Sequence, residues 1–125
     1  MEEETMTGLV RKNFASPEET RPFEADKGKV DLVSLNAIPV GRGTFEPGWR
    51  WSEHVKPIAG TDSCQASHVG LTLSGRMHIV MDDGEEMEFG AGDLMVCPPG
   101  HDAWVVGDEP CVVLDWAGYG DYAKR

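Results

Sequence analysis

A chain of 125 residues has room for one ordinary domain, and folding it removes about two-thirds of the unfolded surface from water. Hydrophobic residues make up 40% of it, enough for a core, while 15 glycines and 8 prolines favour many turns and an all-β fold over long helices. Eleven Lys and Arg against 22 Asp and Glu leave a net charge of −11, a field that repels phosphate backbones and anionic headgroups and so argues against nucleic acid and membrane as partners.

From Met1 to about Gly28 the chain is polar, with Glu18-Glu19 and Glu24-Ala25-Asp26 set around Pro17 and Pro22 and only Leu9, Val10 and Phe14 to bury. Residues 1–28 therefore read as an arm, disordered at its start and able to add an edge strand or pack on a neighbouring subunit. Residues 29–125 read as a β-barrel domain. Within it, short apolar runs separated by turn residues predict eight strands, at 30–35, 38–45, 69–73, 77–81, 87–89, 94–97, 104–106 and 112–116. The clearest hairpin turns at Asp82-Asp83-Gly84, where Asp-Gly supplies the positive φ of a tight turn. No apolar stripe of helical period runs far; only the tail from Asp121 suggests one helical turn.

Cys64, Cys97 and Cys111 are odd in number and lack paired spacing, so reduced thiols in a cytoplasm are expected. The acidic start, Met1-Glu2-Glu3-Glu4, is unlike the basic opening of a signal peptide, and no run approaches the ~20 apolar residues of a membrane helix.

Two motifs carry more information. Gly48 is followed after five residues by His54, with Leu73-Ser74-Gly75 further on. Then Gly92, five residues, Pro98, one residue and Gly100 follow in order. The glycines permit sharp corners and Pro98 suits a strand end without a ladder donor. Together these stretches resemble the two conserved motifs of the cupin superfamily. The resemblance implies a double-stranded β-helix, that is, a single jelly-roll barrel, with a pocket for a small-molecule ligand and pairing into a homodimer.

Many cupins hold one divalent metal with two histidines and a glutamate from the first motif and one histidine from the second. Here His54 keeps the first position, whereas Lys56 stands at the second, and an ammonium has donors only. Counting back from Gly75, the glutamate position falls on His68, with 57–67 as an inserted loop. The second-motif histidine position is Ala103, but His101 lies two residues earlier, on the same face of an extended strand. The resemblance so implies a site of His54, His68 and His101 with open positions for Zn, Fe, Mn or Ni.

Around these, Trp49, Trp51 and Trp104 offer aromatic walls to an organic ligand, with core packing as the ordinary alternative. Lys56 and Arg50 can bind a carboxylate if they point inward, although surface roles are the commoner fate of such residues. Cys64 and Gln65, in the inserted loop near His68, can add a ligand or line the pocket, or merely satisfy backbone groups. The substrate-binding set is Trp49, Trp51, Lys56, Gln65 and Trp104. Strand alternation puts Glu53 opposite His54, and His78 belongs to the hairpin surface. Two functions fit: a metal-dependent enzyme, whether isomerase, dioxygenase, lyase or hydrolase, or a non-catalytic module that binds or senses a small molecule without metal. A barrel serving assembly alone is the weaker third.

Overall fold

The structure is a computed structural model that describes residues 8–125; the expected disorder at the very start of the arm falls largely outside them. Nine strands form among the described residues: β1 Glu19–Pro22, β2 Gly28–Leu35, β3 Ile38–Phe45, β4 His68–Ser74, β5 Arg76–Met81, β6 Glu86–Gly90, β7 Leu94–Cys97, β8 His101–Val105 and β9 Cys111–Asp115. All pair antiparallel, in a six-stranded sheet of order β1-β2-β3-β9-β4-β7 and a three-stranded sheet of order β6-β5-β8. The fold is the expected all-β jelly roll. Each of the eight expected strands is present, β8 beginning three residues earlier, at His101. No helix among the described residues is long and apolar enough to cross a membrane.

Period-two alternation places the inward side chains. On β9 Cys111, Val113 and Asp115 are buried, on β8 His101, Ala103 and Val105, and on β4 His68, Gly70 and Thr72. Phe23, Phe45, Trp49 and Tyr122 pack at one end, with Phe45 and Trp49 edge to face at 4.6 Å between centroids.

Two features differ from the sequence expectation. Helical turns α1 (Trp51–His54) and α2 (Lys56–Ala59) occupy a stretch that showed no helical period. Four residues are too few to display a period; α1 buries Trp51 and His54, one turn apart, and Pro57 starts α2 without needing its missing N–H. The tail from Asp121 makes a turn, with the Lys124 N–H donating to Asp121 O at 3.2 Å, rather than a helical turn.

That tail closes the barrel. Tyr119, Tyr122 and Ala123 are buried, and Arg21, buried on β1, donates through Nη1 to Tyr119 O and Tyr122 O, each at 3.0 Å. Tyr119 lies on β3 where Gly41 and Gly43 face inward: a Cβ on Gly41 would stand 2.2 Å from the Tyr119 ring.

Candidate metal centre

Cys64, His68 and His101 come together at one end of the barrel. β4 starts at His68 and β8 at His101, while backbone bonds tie the loop before β4 to the start of β8: the Cys64 N–H donates to His101 O and the Gly100 N–H to Cys64 O, each at 2.7 Å. One ligand atom from each of the three side chains lies within 4.8 Å of the other two, and all three residues are buried. His68 Nε2 is 3.9 Å from Cys64 Sγ, and the two imidazole centroids are 5.4 Å apart.

Groups behind the imidazoles hold them in one tautomer. His68 Nδ1–H donates to Asp115 Oδ2 at 2.5 Å. The other oxygen of Asp115 accepts the N–H groups of Ala117 and Gly118 at 2.8 and 2.7 Å. His101 Nδ1–H donates to Pro98 O at 2.8 Å, with Cys97 Sγ 3.3 Å from the same nitrogen. In both rings the proton is thereby fixed on Nδ1 and the lone pair is left on Nε2, the arrangement that metal-binding histidines adopt. Gly118 completes the support, because a Cβ there would lie 2.3 Å from His68 Nδ1 and 2.5 Å from Ser67 O.

Burial sets the charges. It pushes the Cys64 thiol up to about 11 and the His101 imidazole below its ordinary value, so His101 is neutral, the form that ligates. Cys97 and Cys111, also pushed by burial to about 12, are unreactive thiols, and all three cysteines are free. The donor set of one thiol and two imidazoles suits a divalent transition metal, which would displace the thiol proton on binding.

The remaining sequence candidates scatter. His54 is buried but stands outside the cluster, its Nδ1 lying against the Arg50 backbone, 3.0 Å from the nitrogen and 3.2 Å from the carbonyl oxygen. Lys56 is partly exposed, 4.0 Å from Asp62 Oδ1. Gln65 Nε2 donates to Ser63 Oγ at 3.0 Å. Trp49 and Trp51 line the barrel interior, whereas Trp104 faces outward, stacked on His78 at 4.8 Å with the Arg50 guanidinium 4.2 Å above its ring. Glu53 is exposed on α1, and His78 Nε2 meets Glu86 Oε1 at 2.6 Å on the hairpin surface.

Asp115 went unnoticed in the sequence, although a carboxylate at an inward position of the run Val112-Val113-Leu114-Asp115 is a signal, since a buried charge needs a partner.

Two spaces adjoin the cluster. The interior cavity, about 40 Å³, is lined by Trp49, Trp51, His68, His101, Tyr119 and Tyr122 among others. Outside it, an open cleft of about 510 Å³ runs between the α1–α2 segment and the tail, with Trp51, Ile58, Cys64, Gln65, Tyr122 and Lys124 in its walls. Trp51 and Tyr122 belong to both.

The Cupin domain family model matches residues 59–117, a span containing the whole Cys64, His68 and His101 cluster. No curated protein matches the sequence. Among solved structures, the polyketide cyclase RemF from Streptomyces resistomycificus is 17% identical with a TM-score of 0.60, over 89% of this chain and 80% of that one. KdgF from Halomonas sp. is 17% identical with a TM-score of 0.58, over 87% and 91%. An uncharacterized double-stranded β-helix protein from Klebsiella pneumoniae is 20% identical with a TM-score of 0.56, over 92% and 94%. With the two motifs, the jelly-roll topology and the family match in agreement, the chain carries a cupin domain over residues 59–117.

Proposed function

We propose that this cupin binds one divalent transition metal through Cys64 Sγ, His68 Nε2 and His101 Nε2 and offers it to a small organic ligand. The carrying observation is the pair of imidazoles whose Nδ1–H groups are both committed to oxygen acceptors, Asp115 and Pro98. Three protein ligands leave a position open, as catalytic rather than structural metal sites do. A thiolate beside imidazoles favours Zn, Fe or Ni over Mn. A metal held there would supply the polarisation of a ligand oxygen or the activation of water that a metal-dependent enzyme needs. The cleft of about 510 Å³ falls in the usual size range of small-molecule sites.

Elemental analysis of wild type and of Cys64→Ala, His68→Ala, His101→Ala and His54→Ala tests this. Near-stoichiometric metal in the wild type and in His54→Ala, lost in the other three, supports the assignment. Wild type that stays metal-free after reconstitution refutes it and leaves the metal-free binding module. The aromatic tail filling the barrel beside His68 favours that second reading.

A homodimer belongs to the same proposal. Val69 and Leu71 on β4 lie beside Val96 and Leu94 on edge strand β7, and Leu71 lies beside Leu114 on β9, giving a continuous apolar outer face. Leu94 and Val96 are 71% and 72% exposed, and such a self-complementary patch suits a second copy of the chain. Light scattering of wild type and Val96→Asp reads it: a wild-type dimer that the variant dissociates is expected, and a monomeric wild type ends the idea. Three free, buried thiols fit a cytoplasmic location.

A further inference from the structure

Four buried side-chain polar atoms among the described residues have no hydrogen-bond partner: Asn36 Oδ1, Arg42 Nε, Trp49 Nε1 and Trp51 Nε1. The two indole N–H groups stand apart from the others by their place. Both tryptophans are 2% exposed, and both line the interior cavity with His68 and His101. A buried donor without an acceptor forfeits the hydrogen bonds it made to water, so native proteins seldom keep one, and two around one cavity call for a reason.

The remaining polar groups of that cavity, on Thr72, Tyr119, Tyr122, His68 and His101, accept from neither indole. Its other walls include Phe45, Met77, Ile79 and Val113, and the nearby carboxylate, Asp115, is already committed to His68 and two backbone N–H groups. A group entering this space meets two unsatisfied indole donors beside apolar surface, and acceptor oxygens are what satisfies them. Two donors converging on one small space suit the paired oxygens of a carboxylate, and a divalent ion bound as proposed above would add attraction for its charge. Size selects last. A cavity of about 40 Å³ holds roughly three water-sized groups, given on the order of 10–15 Å³ for each.

We propose that the indole N–H groups of Trp49 and Trp51 donate to the carboxylate of a compact carboxylic acid bound inside the barrel, so that these two residues set the specificity of the site for carboxylates of formate or acetate size. This rests on the small-molecule reading given above and adds the ligand class to it. Metal ligation is a separate premise, because the indoles require only an acceptor.

The test is a titration of ¹⁵N-labelled protein, metal-free and zinc-reconstituted, with sodium acetate and sodium formate, following the indole N–H resonances. Saturable downfield shifts of the Trp49 and Trp51 signals are expected. Trp49→3-benzothienylalanine and Trp51→3-benzothienylalanine keep the ring shape and replace the N–H by sulfur; each is expected to weaken acetate binding about tenfold or more. Acetamide, which lacks the charge, is expected to bind more weakly than acetate. Zinc content read in the same samples separates the two readings. If zinc binds but neither indole signal responds to acetate or formate, or if both replacements bind acetate as wild type does, the carboxylate assignment falls and the metal assignment stands. If no zinc binds and acetate still moves the indole signals, the metal assignment falls and the carboxylate assignment stands.

Discussion

Asp115→Asn alters almost no volume, yet it reverses the hydrogen-bond demand on His68. The carboxylate now accepts from His68 Nδ1 at 2.5 Å and, through its other oxygen, from the Ala117 and Gly118 N–H groups at 2.8 and 2.7 Å. Those two backbone donors hold the carbonyl oxygen of an asparagine in the second place, which turns its NH₂ toward the imidazole. Facing a donor, His68 Nδ1 must accept, and its proton moves to Nε2, the nitrogen offered to the metal. Losing such a partner weakens metal binding about 10–100-fold, which corresponds to about 1.4–2.7 kcal/mol. The fold loses less, about 1 kcal/mol, because a hydrogen bond survives in reversed and uncharged form. Competition with a chromophoric chelator measures the zinc affinity, long-range ¹H–¹⁵N spectra report the His68 tautomer, and urea unfolding reports the stability. A switched tautomer with unchanged zinc affinity would refute the role of His68 Nε2 as a ligand, and an unswitched tautomer would refute the hydrogen-bond argument itself.

Zinc affinity is expected to climb with pH: burial holds the Cys64 thiol up at about 11, ligation displaces its proton, and the apparent constant therefore rises about tenfold per pH unit below that value. Competition titrations at pH 6, 7 and 8 check this, and a flat response would remove Cys64 from the ligand set. The metal-free protein is expected to weaken in alkali. Cys64 is raised to about 11 and Cys97 and Cys111 to about 12, while unfolded thiols titrate near ~8.5. Their full contribution is present below that value and declines as pH rises toward the folded values, by up to ~1.4 kcal/mol per thiol per pH unit. Urea midpoints that stay constant from pH 8 to 10 would contradict it. Gly41→Ala would set a Cβ 2.2 Å from Tyr119 Cδ2, and overpacking of this kind costs about 1–3 kcal/mol. Chymotrypsin should then cut after Tyr119 or Tyr122 faster than in wild type, and equal rates would show that the tail is not seated on β3.

The strands were legible because their signals are local. Alternation of apolar side chains, Asp-Gly at the hairpin and the Gly and Pro of the two motifs each act within a few residues, so the eight expected strands formed, all close to their expected bounds except β8, which begins three residues earlier. The motif spacing also led to His68 and His101, which meet in space. His54 is the instructive contrast. Its spacing from Gly48 marked it as a motif histidine, but the chain around it coils into α1 and sets its Nδ1 against the Arg50 backbone, a local event too short to leave a periodic trace.

What sequence by itself determined was the sheet architecture and the inward register of β4, β8 and β9, because a two-residue period decides which side chains face the core. Tertiary structure alone decided the composition of the site. Cys64 joins it because its loop pairs by backbone bonds with the start of β8, and Asp115 orients His68 across 47 positions of sequence. The tail reaches the barrel because Arg21, 98 positions before Tyr119, holds its carbonyl. Such pairings depend on where the whole chain closes, and no local propensity encodes them.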